Sequence, residues 1–224
     1  MNRDEKRSRA AAVPPSIVDV NSARAIFPRE PNGGTWIAAN DGGVCVALIN
    51  WYRINREPGR DVMSRGQVVR ELAGKSTTAE IAEAVMNLPL HRLRPFRLIA
   101  VVPLEQRVTE WRWNLEQLIA RKHDWQMQHW FSSGFNEERA ERERERVCTA
   151  ARDRRSLAGL RQLHRSHRPK RGPFSICMHR DEAATVSYTE VAVSRRRATM
   201  RYKPGPCCSN RSPITRAISL ARSL

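Results

Sequence analysis

The sequence predicts an α+β fold whose sheets are mainly antiparallel. Strand-like runs joined by a tight glycine turn lie near the start, three more lie near the end, and helix-capping signals cluster between them. Hydrophobic residues make up 40% of the 224 positions and include 6 Trp, which is enough for a core and excludes wholesale disorder. One domain is expected over 1–203, followed by a loosely ordered basic tail over 204–224.

Along the chain, Ala10 to Pro15 reads as an extended connector, because Pro14 and Pro15 remove backbone donors and restrict the residues before them. Gly34 to Asn40 and Val44 to Asn50 flank Asp41-Gly42-Gly43, a turn whose glycines accept positive φ, and so predict a hairpin. The second arm is apolar at almost every position and is expected to be buried on both faces. Ser64 caps a helix over Arg65 to Ala73 that Gly74 closes. Thr77 with Glu80 opens a second, Thr78 to Asn87, stopped by Pro89, with Ile81, Ala84, Val85 and Leu88 on one face.

Strands are predicted over Phe96 to Val102, Val108 to Trp113, Leu118 to Arg121 and Trp125 to Phe131, where Trp and β-branched residues interleave with charges. Asn136 to Arg155 is a helix laced by Glu138–Arg142 and Arg139–Glu143 at i,i+4; its charges nearly cancel, so it reads as a solvated face. Ser156 to His164 adds another helical turn or two. Arg165 to Gly172 is a basic linker, and strands return over Phe174 to His179, Thr185 to Val193 and Ala198 to Tyr202.

The formal charge is +17, from 40 Lys+Arg against 23 Asp+Glu. Residues 161–224 hold 14 basic and 3 acidic side chains, so the excess sits in the last quarter. Of the basic residues 35 are Arg and 5 are Lys, a skew that a GC-rich genome produces whatever the function; nucleic-acid surfaces use both types. Nucleic acid is therefore not the favoured partner. No run approaches the roughly 18 apolar residues of a membrane span, and no apolar signal core follows Met1 to Lys6, which predicts a soluble, cytoplasmic protein. The odd count of 5 Cys fits reduced thiols better than disulfides.

Metal-ligating residue types occur as His164-x-x-His167, Cys177-x-His179 and Cys207-Cys208. Zinc ligands come in converging pairs two to four residues apart, and adjacent Cys207 and Cys208 rarely both serve one tetrahedral ion, so neither a metal nor another cofactor is expected. His179-Arg180-Asp181 matches the start of a kinase catalytic loop, but Val186 stands where that loop needs Asn. His179-Arg180-Asp181-Glu182 also echoes Asn2-Arg3-Asp4-Glu5, which alone is weak support for a repeat.

A longer series of motifs is specific. Asn2-Arg3-Asp4-Glu5, the Ala/Pro stretch, Gly33-Gly34-Thr35-Trp36-Ile37, Asn40-x-x-Gly43, Ala47-Leu48-Ile49-Asn50, Ser64-Arg65-Gly66, Pro95-Phe96-Arg97-Leu98, Phe131-Ser132-Ser133 and Cys177 to Ser187 follow one another in order. Together they resemble the NRDE family, the relatives of transport and Golgi organisation protein 2, over residues 2–188. The resemblance implies an N-terminal-nucleophile (Ntn) hydrolase-like αββα sandwich, two sheets face to face with helices outside. Enzymes of that class cleave amides with a Cys, Ser or Thr whose own α-amine is the base.

In the NRDE family the corresponding Cys lies on a strand just upstream of Asn-Arg-Asp-Glu. This chain opens at Met1-Asn2, so the resemblance implies a missing first strand and nucleophile, through a start assigned at an internal Met or through degeneration. Resemblance to bile-salt and penicillin-V amidases of the same class implies supporting roles for Arg3 and Asp4 beside the nucleophile, Asn50 as a polar amide at a strand end, and Ser132-Ser133 where those enzymes have an oxyanion-stabilising Asn. The plainer alternatives are a turn carboxylate for Asp4, a strand-end hydrogen bond for Asn50 and a cap for Ser132.

The expected function is thus an amide-hydrolase-like family member, incompetent as written, with a small amide-containing or apolar ligand as partner. The alternative is a non-enzymatic carrier of a lipid or haem-like molecule; a nucleic-acid binder ranks third.

Overall fold

The computed structural model describes residues 1–21, 23–151 and 156–221. In chain order the elements are β1 (Asn2–Lys6), β2 (Val13–Val20), β3 (Ala23–Arg29), β4 (Ile37–Asn40), β5 (Cys45–Asn50), α1 (Arg65–Leu72), α2 (Thr78–Met86), β6 (Phe96–Val102), β7 (Arg107–Trp113), β8 (Leu118–His123), α3 (Glu137–Thr149), α4 (Leu157–His164), β9 (Ala183–Val193), β10 (Arg197–Pro204) and β11 (Ile214–Ser219). They form a seven-stranded sheet in the order β2 to β8 and a four-stranded sheet in the order β1-β9-β10-β11. The chain divides into two compact units: Met1–Ala10, Met127–Glu190 and Arg201–Ile214 make the first, and Ala11–Gln126, Val191–Met200 and Thr215–Leu224 the second.

The second unit contains the seven-stranded sheet, an antiparallel meander in which every strand pairs with its sequence neighbours. Pro14 and Pro15 lie on β2, an edge strand whose register shifts between Val13 and Ser16; an edge tolerates prolines that cannot donate to the ladder. The predicted connector is therefore partly a strand.

The β4–β5 hairpin forms as expected, with Ala39 opposite Cys45. Asn40 builds its turn: Oδ1 accepts from the Gly42 and Val44 amides at 3.0 and 3.1 Å, while Nδ2 donates to the Ala73 and Lys75 carbonyls at 3.0 and 2.8 Å. Gly43 takes a φ of 76° that favours glycine. In β5 only Val46 and Leu48 are buried and the rest half-buried, so the expectation of a strand buried on both faces is corrected; β4 is the fully buried arm.

Ser64 and Thr77 cap α1 and α2 through the Gly66 and Glu80 amides. The Glu80 carboxylate returns to the amide of Ser76, the residue before the cap, at 2.9 Å, which fixes the entry of the chain into α2. Val68, Val69 and Leu72 of α1 and Ile81 and Val85 of α2 are buried with Phe96, Leu98 and Trp111 in the main core. The family-like motifs Gly33-Gly34 and Ser64-Arg65-Gly66 meet here: a Cβ on Gly66 would stand 3.0 Å from Gly34 Cα, and the Thr35 amide donates to the Gly66 carbonyl at 3.0 Å. Within the second unit, Ile26 and Ala39 also pack with Ala198 and Met200 of β10 and Ile218 of β11.

Two strand predictions and the expected tail differ from the structure. Trp125 to Phe131 carries no strand, and Phe174 to His179 is irregular apart from a bridge between His179 and Ala184. β11 lies in the stretch expected to be loosely ordered. The helix predicted to Arg155 is described to Thr149, and its last four positions lie outside the described residues. Among the described residues no helix is long and apolar enough to cross a membrane.

Candidate functional site

The first unit is organised around β1, which pairs antiparallel with β9. The register shifts between Arg3, opposite Ser187, and Asp4, opposite Thr185, a bulge of the kind that re-aims a side chain. Asp4 Oδ1 accepts from Thr185 Oγ1 at 2.6 Å and Oδ2 from the Arg144 guanidinium at 3.3 Å. Thr185 is fully buried, and its hydroxyl oxygen also accepts from the Met178 amide at 2.9 Å.

Arg144 is the hub of this arrangement. It projects from α3 on the stripe shared with Ala140 and Cys148, and only 5% of it is exposed. Besides Asp4 it reaches the carbonyls of Ser175 (3.2 Å), Ser132 (3.1 Å) and Pro173 (3.5 Å). A planar guanidinium with five donors suits this divergent set of oxygens; an ammonium does not. The expectation that the Glu/Arg-rich helix is a solvated face is thereby corrected on one side.

Asn2 forms a second hub. Its Nδ2 donates to the His164 and Ile176 carbonyls at 3.0 and 2.8 Å, and its Oδ1 lies 3.2 Å from His164 Nδ1. Burial, with the N-terminal ammonium nearby, holds the His164 imidazole well below its usual range, hence neutral. On the same strand as Thr185, Glu190 takes a bidentate pair from Arg161 at 2.7 Å, which lowers its carboxyl, and accepts from the Tyr188 hydroxyl at 3.0 Å.

The sequence-derived site residues are placed unequally. Arg3 is buried and pairs with Glu5 at 3.3 Å. Ser132 contributes its backbone carbonyl to Arg144, and the Ser133 hydroxyl accepts from the Phe135 amide, which makes it a turn cap. Asn50 belongs to the other unit, at the end of β5, where its amide donates to the Tyr52 hydroxyl at 2.7 Å. Sequence reading missed Arg144 and Thr185. The alignment of Ala140 and Cys148 with Arg144 at i,i+4 was the available signal for an inward-facing arginine. The two four-letter echoes prove to be neighbours: Lys6 pairs with Ala183, and the Arg7 amide donates to the Glu182 carbonyl at 2.9 Å.

Comparison with known proteins agrees with this architecture. The family described as Transport and Golgi organisation 2 matches residues 1–158, and the chain belongs to that family. Among solved structures, penicillin V acylase from Agrobacterium tumefaciens is similar, with a TM-score of 0.55 and 9% identity over 97% of this chain and 81% of that chain. That likeness shows the fold, an Ntn-hydrolase-like α+β arrangement of two antiparallel sheets. No curated protein matches.

Proposed function

We propose that this protein is an amide-hydrolase-like family member in which Asp4, positioned by Thr185 and Arg144, is the supporting carboxylate of an Ntn-type site. The observation that carries the reading is the two-sided clamp on Asp4: one oxygen is held by a buried hydroxyl and the other by a buried guanidinium, on a strand bulge. An acceptor fixed in this way can orient an amine, which is what a nucleophile that uses its own α-amine as base requires. Arg3 and the Ser132-Ser133 turn hold the surroundings of Asp4 in this reading, and Asn50 has no assigned step.

The test is hydrolysis of penicillin V by the purified chain and by Asp4→Asn. Turnover by the parent chain that Asp4→Asn lowers about tenfold or more supports the assignment of Asp4; turnover that Asp4→Asn leaves unchanged overturns it. Stoichiometric retention of haem, unchanged in Asp4→Asn, moves the assignment to a carrier of apolar ligands.

A further inference from the structure

We propose that His167, Cys177, His179 and Cys208 form a closed, structural zinc site that fastens the loop after β10 to the segment preceding β9. All four belong to the first unit, and their donor atoms lie within 4.8 Å of one another. His167 Nε2 is 3.2 Å from His179 Nε2, which is 3.5 Å from both Cys177 Sγ and Cys208 Sγ.

These separations match the edges of a zinc tetrahedron. Zinc bonds of about 2.3 Å to sulfur and about 2.0–2.1 Å to nitrogen place two nitrogens about 3.3 Å apart, and a nitrogen and a sulfur about 3.6 Å apart. The widest pair in the cluster has to close by about 1 Å for such bonds, a movement within reach of side-chain rotation. Hydrogen bonding alone does not account for the cluster. A neutral imidazole has at most one proton on Nε2, which cannot be directed at three partners at once, whereas a central cation is shared by all four donors.

The charges also balance, since two thiolates neutralise Zn²⁺ beside two neutral imidazoles. The donor set, two sulfurs and two imidazoles, selects zinc over the hard cations Mg²⁺ and Ca²⁺. Four protein ligands leave no open position, which defines a structural site.

The objection that adjacent cysteines rarely share one ion is met by their divergence. Cys207 hydrogen-bonds Cys177 from outside the cluster, its thiol facing the His164 carbonyl and, at 3.5 Å, Asn2 Oδ1, and only Cys208 of the pair belongs to the four donors that all lie within 4.8 Å of one another. The backbone around the ligands is fixed: the Cys177 amide donates to the Ser166 carbonyl at 3.0 Å, the His179 amide to the Gly172 carbonyl at 3.2 Å, and Lys203 Nζ to the Cys207 and Ser209 carbonyls. Arg171 lies 3.4 Å from His179 Nδ1 and is exposed. A His179 bound through Nε2 carries its proton on Nδ1, so Arg171 withdraws to solvent on loading.

The experiment titrates the metal-free full chain with zinc chloride and, separately, with cobalt chloride, whose visible spectrum reports tetrahedral thiolate coordination. One equivalent is expected to bind, with a tetrahedral cobalt spectrum and a raised melting temperature. Cys208→Ser and His167→Ala are expected to weaken binding about tenfold or more, by removal of a ligand. Cys207→Ser and the distant Cys45→Ser are expected to keep the stoichiometry. Failure of the parent chain to bind one equivalent overturns the proposal, as does a Cys208→Ser chain that binds as tightly as the parent. Loss of binding in a folded Cys207→Ser chain, with Cys208→Ser unaffected, also overturns it.

Discussion

At the scale of single residues, the polar letters that open the chain hold the first unit together. Asn2 joins the end of α4 to the segment around Ile176, and Asp4 ties β1 to β9 and α3. Arg144 is the most exposed to a test, because four oxygens lose their donor if it is removed. Arg144→Met is expected to destabilise the chain by about 1–3 kcal/mol in urea unfolding, the usual result of leaving buried acceptors without their donor beside a half-buried carboxylate. Arg144→Lys is expected to recover less than half of that loss, because a point ammonium cannot span divergent carbonyls. A loss below about 1 kcal/mol for Arg144→Met would place the residue among ordinary surface arginines.

At the scale of elements, β6, β7 and β8 share a charge cluster that their alternation alone does not announce. Glu110 on β7 is fully buried, and its carboxylate accepts from Arg97 of β6 at 2.6 Å and Arg112 at 2.9 Å, with His123 of β8 at 2.9 Å. Burial alone would raise its pKa, but the hydrogen bonds and charges of Arg112 and Arg97 prevail and hold it at about 2. A carboxylate whose folded pKa lies below the unfolded value of about 4.3 contributes stability above that value and loses it as pH falls toward the folded one. The contribution is about 3 kcal/mol near neutrality, and it declines between about pH 5 and about pH 2. Glu110→Gln is therefore expected to melt below the parent at neutral pH, with the gap closing in acid. A pH-independent gap would show that the cluster acts through packing.

At the scale of the whole molecule, the +17 charge is partly built into the fold. In the basic last quarter Arg161 is held by Glu190, Arg180 by Glu182, and Lys203 by two carbonyls. The remaining excess repels itself, and buried pairs are screened less than exposed charges. The melting temperature is expected to rise from about 10 mM to about 150 mM sodium chloride, as the Debye length shortens to about 8 Å; a fall would mean that exposed ion pairs outweigh the net repulsion.

The α+β class, both capped helices, the β4–β5 hairpin and β6 to β8 were legible in the sequence, because periodicity, caps and turn glycines are local signals. Trp125 to Phe131 and Phe174 to His179 look like strands because their composition suits a sheet, but β propensity is context-dependent: no strand pairs with the first, and the second makes only the single bridge from His179 to Ala184 of β9. Asp4 lies in a motif that the sequence displays, whereas its hydrogen-bond partners Arg144 and Thr185 lie 140 and 181 residues away. The sequence by itself determined the family, the residue types, the capped helices and the β4–β5 and β6 to β8 strands. Only the tertiary structure decided which arginine of a charged helix turns inward, and which of two adjacent cysteines joins two histidines and a third thiol. Those choices depend on where distant segments converge, and spacing along the chain does not encode that convergence.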